Sequence, residues 1–223
     1  MNPKILFATV LLLSTLNSQL RAATTINAAN KFAYGANLGW MDARGDVTSG
    51  MVVGEFVCSG YIYAANCGWI NLGDGTPANG IRYLNNSGSD FGVNHDGAGN
   101  LHGFAWGANL GWLTFTNRDA TSATFAGPKV DLFTGKLSGN IWSANCGWIS
   151  LSNAVAFVQT DHLAAGADTD GDGIPDAWER LNFGNLTTAN ATNDFDNDGF
   201  SNKGEYLADT NPSDTNSFFS GAV

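Results

Sequence analysis

Trp142-Ser-Ala-Asn-Cys-Gly-Trp-Ile149 is the last of four copies of one pattern, after Tyr34-Gly-Ala-Asn-Leu-Gly-Trp-Met41, Tyr63-Ala-Ala-Asn-Cys-Gly-Trp-Ile70 and Trp106-Gly-Ala-Asn-Leu-Gly-Trp-Leu113. The shared motif is aromatic-x-Ala-Asn-x-Gly-Trp-apolar. Its Asn residues at 37, 66, 109 and 145 are 29, 43 and 36 positions apart. That spacing fits one small supersecondary element repeated with variable loops. Asn and Gly tolerate positive φ, so Ala-Asn-x-Gly between apolar runs is a turn and each copy is a β-hairpin.

One register serves the copies. With Trp142 opposite Trp148, Ile141 faces Ile149 and Gly139 faces Leu151; the same rule gives Ile62/Ile70 with Gly60/Leu72, and Ala105/Leu113 with Gly103/Phe115. The first copy is weaker, with Lys31 opposite Ala43. Since strand side chains alternate, one face should be aliphatic, with glycine leaving room for a large partner, and the other should carry aromatic pairs. Upstream, Val93 to Leu101 and Val130 to Leu137 each read as a strand, a Gly-containing turn and a return. A three-stranded meander per unit, about eleven or twelve strands in all, follows. The expected fold class is mainly β: a repetitive antiparallel β-meander domain over residues 23–160, as a barrel or sandwich, with a small propeller as the alternative.

The pairs Tyr34/Trp40, Tyr63/Trp69, Trp106/Trp112 and Trp142/Trp148 admit two uses. Repeated Trp in short β-units is most often packing. Flat rings with polar neighbours also suit sugar rings, so Trp40, Trp69, Trp106, Trp112, Trp142 and Trp148 are candidate ligand-binding residues.

The strongest chemical signal lies further along. Asp168-Thr-Asp-Gly-Asp-Gly-Ile-Pro-Asp-Ala-Trp-Glu179 and Asp194-Phe-Asp-Asn-Asp-Gly-Phe-Ser-Asn-Lys-Gly-Glu205 follow an EF-hand-type calcium loop. Positions 1, 3 and 5 are Asp168, Asp170, Asp172 and Asp194, Asp196, Asp198; position 9 is Asp176 or Asn202; position 12 is Glu179 or Glu205. Carboxylates alternating on a tight turn repel one another unless a hard cation neutralises them. Two calcium ions are therefore expected, with short helices from Asp176 to Phe183 and Ser201 to Leu207. Trp178, Leu181, Tyr206 and Leu207 are the sizeable apolar residues there, so this lobe should depend on metal for order.

Charge and compartment agree with this division. Residues 161–223 hold two Lys/Arg and twelve Asp/Glu, which accounts for the whole net charge of −10. Nucleic acid is not an expected partner, because phosphate binding needs clustered cations. Residues 1–22, with Lys4 ahead of Ile5 to Leu13 and a small residue at Ala22, read as a secretory signal peptide, too short in its apolar run to span a bilayer. Residues 161–167 are the expected linker, and 168–223 the paired calcium-loop module. Cys58, Cys67 and Cys146 allow either buried thiols or one bridge, Cys58–Cys67 or Cys67–Cys146. His95 in a predicted turn, His102 on a strand and His162 at the boundary make no two-His metal motif, and no nucleophile elbow is present, so a non-enzymatic protein is expected.

Asp168-Thr-Asp-Gly-Asp-Gly-Ile-Pro-Asp176 resembles a thrombospondin type 3 repeat. Gly199-Phe-Ser-Asn-Lys-Gly-Glu-Tyr-Leu-Ala-Asp-Thr-Asn-Pro-Ser-Asp214 resembles the paired calcium repeats closing many secreted bacterial proteins. The resemblance covers residues 168–214 only. It implies the ligand set above, with backbone carbonyls from Ile174 and Phe200 added. Pro175, lacking an N–H, and the short Gly/Ala-rich approach to Asp168 point to dockerin-like or thrombospondin-like packing rather than a sensor EF-hand. The Asn-x-Gly-Trp units resemble repeats of exported bacterial proteins without an assigned role. The expectation is a secreted, surface or extracellular structural or adhesion protein. A carbohydrate-binding β-module and a dockerin-type adaptor are the alternatives, so the partner is an extracellular glycan or protein.

Overall fold

A computed structural model describes residues 23–115 and 127–218; the proposed signal peptide lies outside them. In chain order the strands are β1 (Ile26–Gly35), β2 (Gly39–Asp42), β3 (Val52–Val53), β4 (Cys58–Ser59), β5 (Tyr61–Ala64), β6 (Gly68–Asn71) and β7 (Val93–His95). Then come β8 (Leu101–Gly107), β9 (Gly111–Thr114), β10 (Lys129–Val130), β11 (Leu137–Ser138), β12 (Asn140–Ser143), β13 (Gly147–Ser150) and β14 (Val158–Thr160). Among the described residues two helices follow, α1 (Asp176–Phe183) and α2 (Asn202–Ala208).

The four hairpins β1-β2, β5-β6, β8-β9 and β12-β13 lie side by side, and β13 returns to β1, closing an eight-stranded antiparallel barrel. The expected register holds in all of them: Trp142 faces Trp148, Ile141 faces Ile149, Trp106 faces Trp112, Tyr63 faces Trp69 and Tyr34 faces Trp40. Ile62, Ile70, Leu113, Ile141 and Ile149 point inward and are at most 2% exposed, so the barrel encloses a packed core. Where one hairpin meets the next, the inward pairs are Met41/Ala64, Ile70/Gly107, Leu113/Ser143 and Ile149/Gly35. The motif residue after each first aromatic is therefore small because it faces a large aliphatic across a seam.

Two strand expectations change. The β4-β5 and β11-β12 runs are each interrupted at one glycine, Gly60 or Gly139, which is why fourteen segments stand among the described residues where about eleven or twelve were expected. At these glycines, with Gly103, the closest approach is by backbone rather than by Leu72, Leu151 or Phe115. The three glycines have φ between 80° and 114°, and a Cβ on each would collide with a carbonyl oxygen of Gly50, Gly127 or Gly92 on the adjoining segment. The upstream strands exist, with β3 paired to β4, β7 to β8 and β10 to β11. For the first hairpin the corresponding partner comes from the other end of the domain, as β14 pairs with β1.

The repeated Asn does more than turn the chain. Asn66 Nδ2 donates to Leu38 O at 3.0 Å, Asn109 to Cys67 O at 3.0 Å, Asn145 to Leu110 O at 2.8 Å and Asn37 to Cys146 O at 3.1 Å. Each turn thus latches onto the turn before it, and the fourth bond closes the ring. Leu38, Cys67, Leu110 and Cys146 plug this end of the barrel, all at most 7% exposed. All three cysteines are free buried thiols. Asn145→Ala should lower barrel stability by about 1–2 kcal/mol, the loss of one bond with its acceptor left half-buried. Calorimetric melting checks this, and an unchanged midpoint would leave Asn145 a turn residue only.

Residues 161–167 are tied to the barrel. Ala164 N donates to Val53 O and Ala164 O accepts from Glu55 N, both at 2.9 Å, while Asp161 N donates to Thr25 O at 2.9 Å. Leu163 packs on the core cluster. Among the described residues no helix is long and apolar enough to cross a membrane.

Candidate metal centre

The two acidic loops fold alike because the same backbone bonds recur. Asp168 Oδ2 accepts from Gly173 N at 2.9 Å and Asp194 Oδ2 from Gly199 N at 2.8 Å. Asp172 Oδ1 accepts from Ile174 N and Asp198 Oδ1 from Phe200 N, both at 2.8 Å. Gly173 and Gly199 take φ of 88° and 98°, the left-handed turn that position 6 requires. Carboxylate oxygens of Asp168, Asp170 and Asp172 gather within 4.8 Å of one another, as do those of Asp194, Asp196 and Asp198.

Each loop runs directly into its helix, whose first turn carries the position 12 glutamate back over the cluster. Glu179 is 1% exposed and Glu205 is fully buried. Glu179 Oε1, both oxygens of Glu205, and one oxygen each of Asp196 and Asp198 are buried without a hydrogen-bond partner. Burial first, then the nearby Asp carboxylates, push Glu179 and Glu205 up to about 7. Buried partnerless carboxylate oxygens are costly unless a cation meets them. An all-oxygen set with a glutamate able to bind bidentately fits calcium, and the backbone carbonyls of Ile174 and Phe200 occupy the position 7 places.

Position 9 is engaged within each loop. Asp176 Oδ1 accepts from Thr169 N at 2.7 Å and Oδ2 from Thr169 Oγ1 at 2.6 Å. Asn202 Oδ1 accepts from Phe195 N at 3.3 Å while its amide donates to Asn190 O at 3.1 Å. Both residues tie the start of the loop to its helix, and Asp176, like Glu179 and Glu205, lies outside the oxygens gathered within 4.8 Å.

The loops are also joined to each other. Asp172 Oδ2 accepts from Ala191 N at 2.7 Å, and Lys203 Nζ donates to Asp172 O at 3.1 Å. Lys203, at position 10 of the second loop, carried no ligand signal, and only the packing shows its role. The apolar core differs from expectation too: Leu181 and Leu207 are exposed, Ile174 is fully buried, and Trp178, Phe183, Phe195 and Tyr206 pack together. Tyr206, next to Glu205, donates to the Glu55 carboxylate of the barrel at 2.9 and 3.1 Å. Trp178, Tyr206, Glu55, Phe56 and His95 line a cleft of about 620 Å³ between module and barrel.

The aromatic face lies on the outside of the barrel. Tyr34, Trp40, Tyr63, Trp69, Trp106, Trp112 and Trp148 are 39–52% exposed, and Trp142 is half-buried. The rings pair edge-on or tilted at centroid distances of 4.8–5.0 Å. This is no second core layer, because it is open to solvent. His95 lies on β7, buried, rather than in a turn. Its Nε2 accepts from Gly99 N, so Nδ1 bears the proton and faces the Gly54 and Glu55 carbonyls. Burial lowers its pKa, and the ring serves as a neutral core fastener.

Compared with known proteins, the chain matches no family model, no curated sequence and no solved structure.

Proposed function

We propose that this is a secreted, calcium-binding, non-enzymatic structural or adhesion protein, in which a β-barrel presents aromatic residues outward and a two-calcium module clips onto its side. The observation that carries this reading is the repeated cluster of three Asp residues beside a buried glutamate with at least one partnerless oxygen. The signal-like sequence of residues 1–22 supports export. The thrombospondin type 3 resemblance supports calcium as the ion.

A structural clip is favoured over a dockerin-type adaptor by where the module's aromatics lie. Trp178 and Tyr206 line the cleft against the module's own barrel, and Tyr206 is bonded to Glu55, so that face is already engaged.

Native mass spectrometry with added calcium tests the reading. The full chain should carry two ions, and Glu179→Gln and Glu205→Gln should each carry one, since position 12 supplies up to two of the oxygens. Two tightly held ions in both variants would remove the glutamates from the sites.

A further inference from the structure

The four outward aromatic pairs are not equivalent, and the third stands apart. Trp40 has Phe32 and Tyr34 beside it, Trp69 has Tyr61 and Tyr63, and Trp148 has Trp142. Trp112 is flanked by Phe104, Trp106 and also Phe91, which meets it edge-on at 5.1 Å. Phe91 comes from the segment that makes the spacing between Asn66 and Asn109, at 43 residues, the longest of the series. That insertion lies against the barrel wall at Trp112 and borders an open concavity of about 330 Å³, lined by Asn85, Asn86, Ser87, Gly88, Phe91, Phe104 and Trp112.

The loop is held in shape from within. Buried Asp90 accepts from Ala78 N and Leu84 N at 3.1 Å each. Buried Asn94 exchanges two bonds with the Tyr83 backbone, at 2.8 and 2.9 Å. Asn85 sits at φ 57° and accepts from Gly92 N at 3.0 Å. The concavity is therefore preformed, so a ligand entering it loses little to loop ordering.

We propose that this concavity is a binding site for a neutral saccharide. Trp112, 46% exposed, and Phe104, 38% exposed, offer flat apolar surface to the C–H face of a pyranose ring. The rim supplies amide and hydroxyl groups from Asn86 and Ser87, matched to ring hydroxyls. No lining residue is charged, which selects against sugar acids, phosphorylated ligands and cationic peptides. The site names a ligand class for the barrel as a binding module and does not depend on calcium in the C-terminal loops.

The test uses the full chain, titrated separately with cellotetraose, chitotetraose and mannotetraose and followed by Trp fluorescence and calorimetry. At least one should bind. Trp112→Ala should weaken that sugar by roughly tenfold or more, while Trp40→Ala and Trp69→Ala should stay within about twofold of the parent. Gly88→Leu should block the site without unfolding: its φ is not positive and nothing lies within 4 Å of a Cβ there. Gly88→Leu should therefore lose binding with an unchanged melting temperature. Repeating the titration in chelator separates this site from the calcium reading, since sugar binding should persist. Binding to none of the three sugars, or equal losses in Trp40→Ala and Trp112→Ala, would overturn the proposal.

Discussion

In excess chelator the segment 168–218 should lose its two helices and its protection from hydrogen exchange, while the barrel keeps its strand signal. The physical case rests on what the module has without metal. Its core is Ile174 and a small set of rings, α1 and α2 are eight and seven residues long, and both are shorter than a helix that stands alone in water. Against that core stand two buried glutamates with partnerless oxygens beside three Asp carboxylates each. A ligand at one hundred times its dissociation constant stabilises the state that binds it by about 2.7 kcal/mol per site, so two sites contribute about 5 kcal/mol. That is comparable to the whole stability of a small domain.

The same groups give the metal-free module an unusual pH dependence. Glu179 and Glu205 are raised from the ordinary value of 4.5 to about 7, so between these values the folded metal-free module holds protons that the unfolded chain has released. Stability from that protonation is full below the unfolded value and is lost as pH rises through about 7. In chelator, helix content should therefore be higher at about pH 5 than at about pH 8. With calcium the order reverses, because the ion binds the ionised carboxylates. Circular dichroism across pH with and without chelator reads both arms, and a pH-independent metal-free signal would contradict the raised glutamates.

Ile149→Asn should unfold the barrel, whereas Trp148→Ala, one residue away, should leave it folded. Ile149 is 1% exposed, faces Ile141 across the hairpin and Gly35 across the seam where the barrel closes. Losing its buried side chain costs about 2–5 kcal/mol. An amide placed there without partners adds about 1–3 kcal/mol, enough to exceed the margin of an ordinary domain. Trp148 is 52% exposed, and its loss removes a tilted pairing with Trp142 worth about 0.5–1.5 kcal/mol. Solubility and chemical denaturation of the two variants check the contrast, and a benign Ile149→Asn would refute the inward face.

The hairpin register and both helices were legible because each rests on local signals: turn residues at fixed offsets, an apolar alternation, and Gly184 or Ser201 at a helix end. Closure was not. The pairing of β13 and β14 with β1 joins residues more than a hundred positions apart, and nothing in the copies distinguishes a sheet that closes from one that packs on another. The Asn latch was hidden for a related reason, since a turn Asn already has a sufficient local role, and its partner lies in the neighbouring unit. In the acidic loops the template located the Asp clusters and the glutamates. It gave no sign that Asp176 and Asn202 at position 9 would also accept bonds from Thr169 and Phe195, contacts visible only once the loop is folded. Residues 161–167 read as a linker because short Gly/Ala-rich composition carries no trace of the bonds that Ala164 makes to Val53 and Glu55.

Calorimetric titration of calcium into the full chain, with magnesium in the buffer, measures the central claim directly. Two ions should bind, with affinity above that for magnesium, because several carboxylates and a bidentate glutamate suit a large, flexible coordination shell better than an octahedral one. Fewer than two calcium ions, or equal displacement by magnesium, would contradict it.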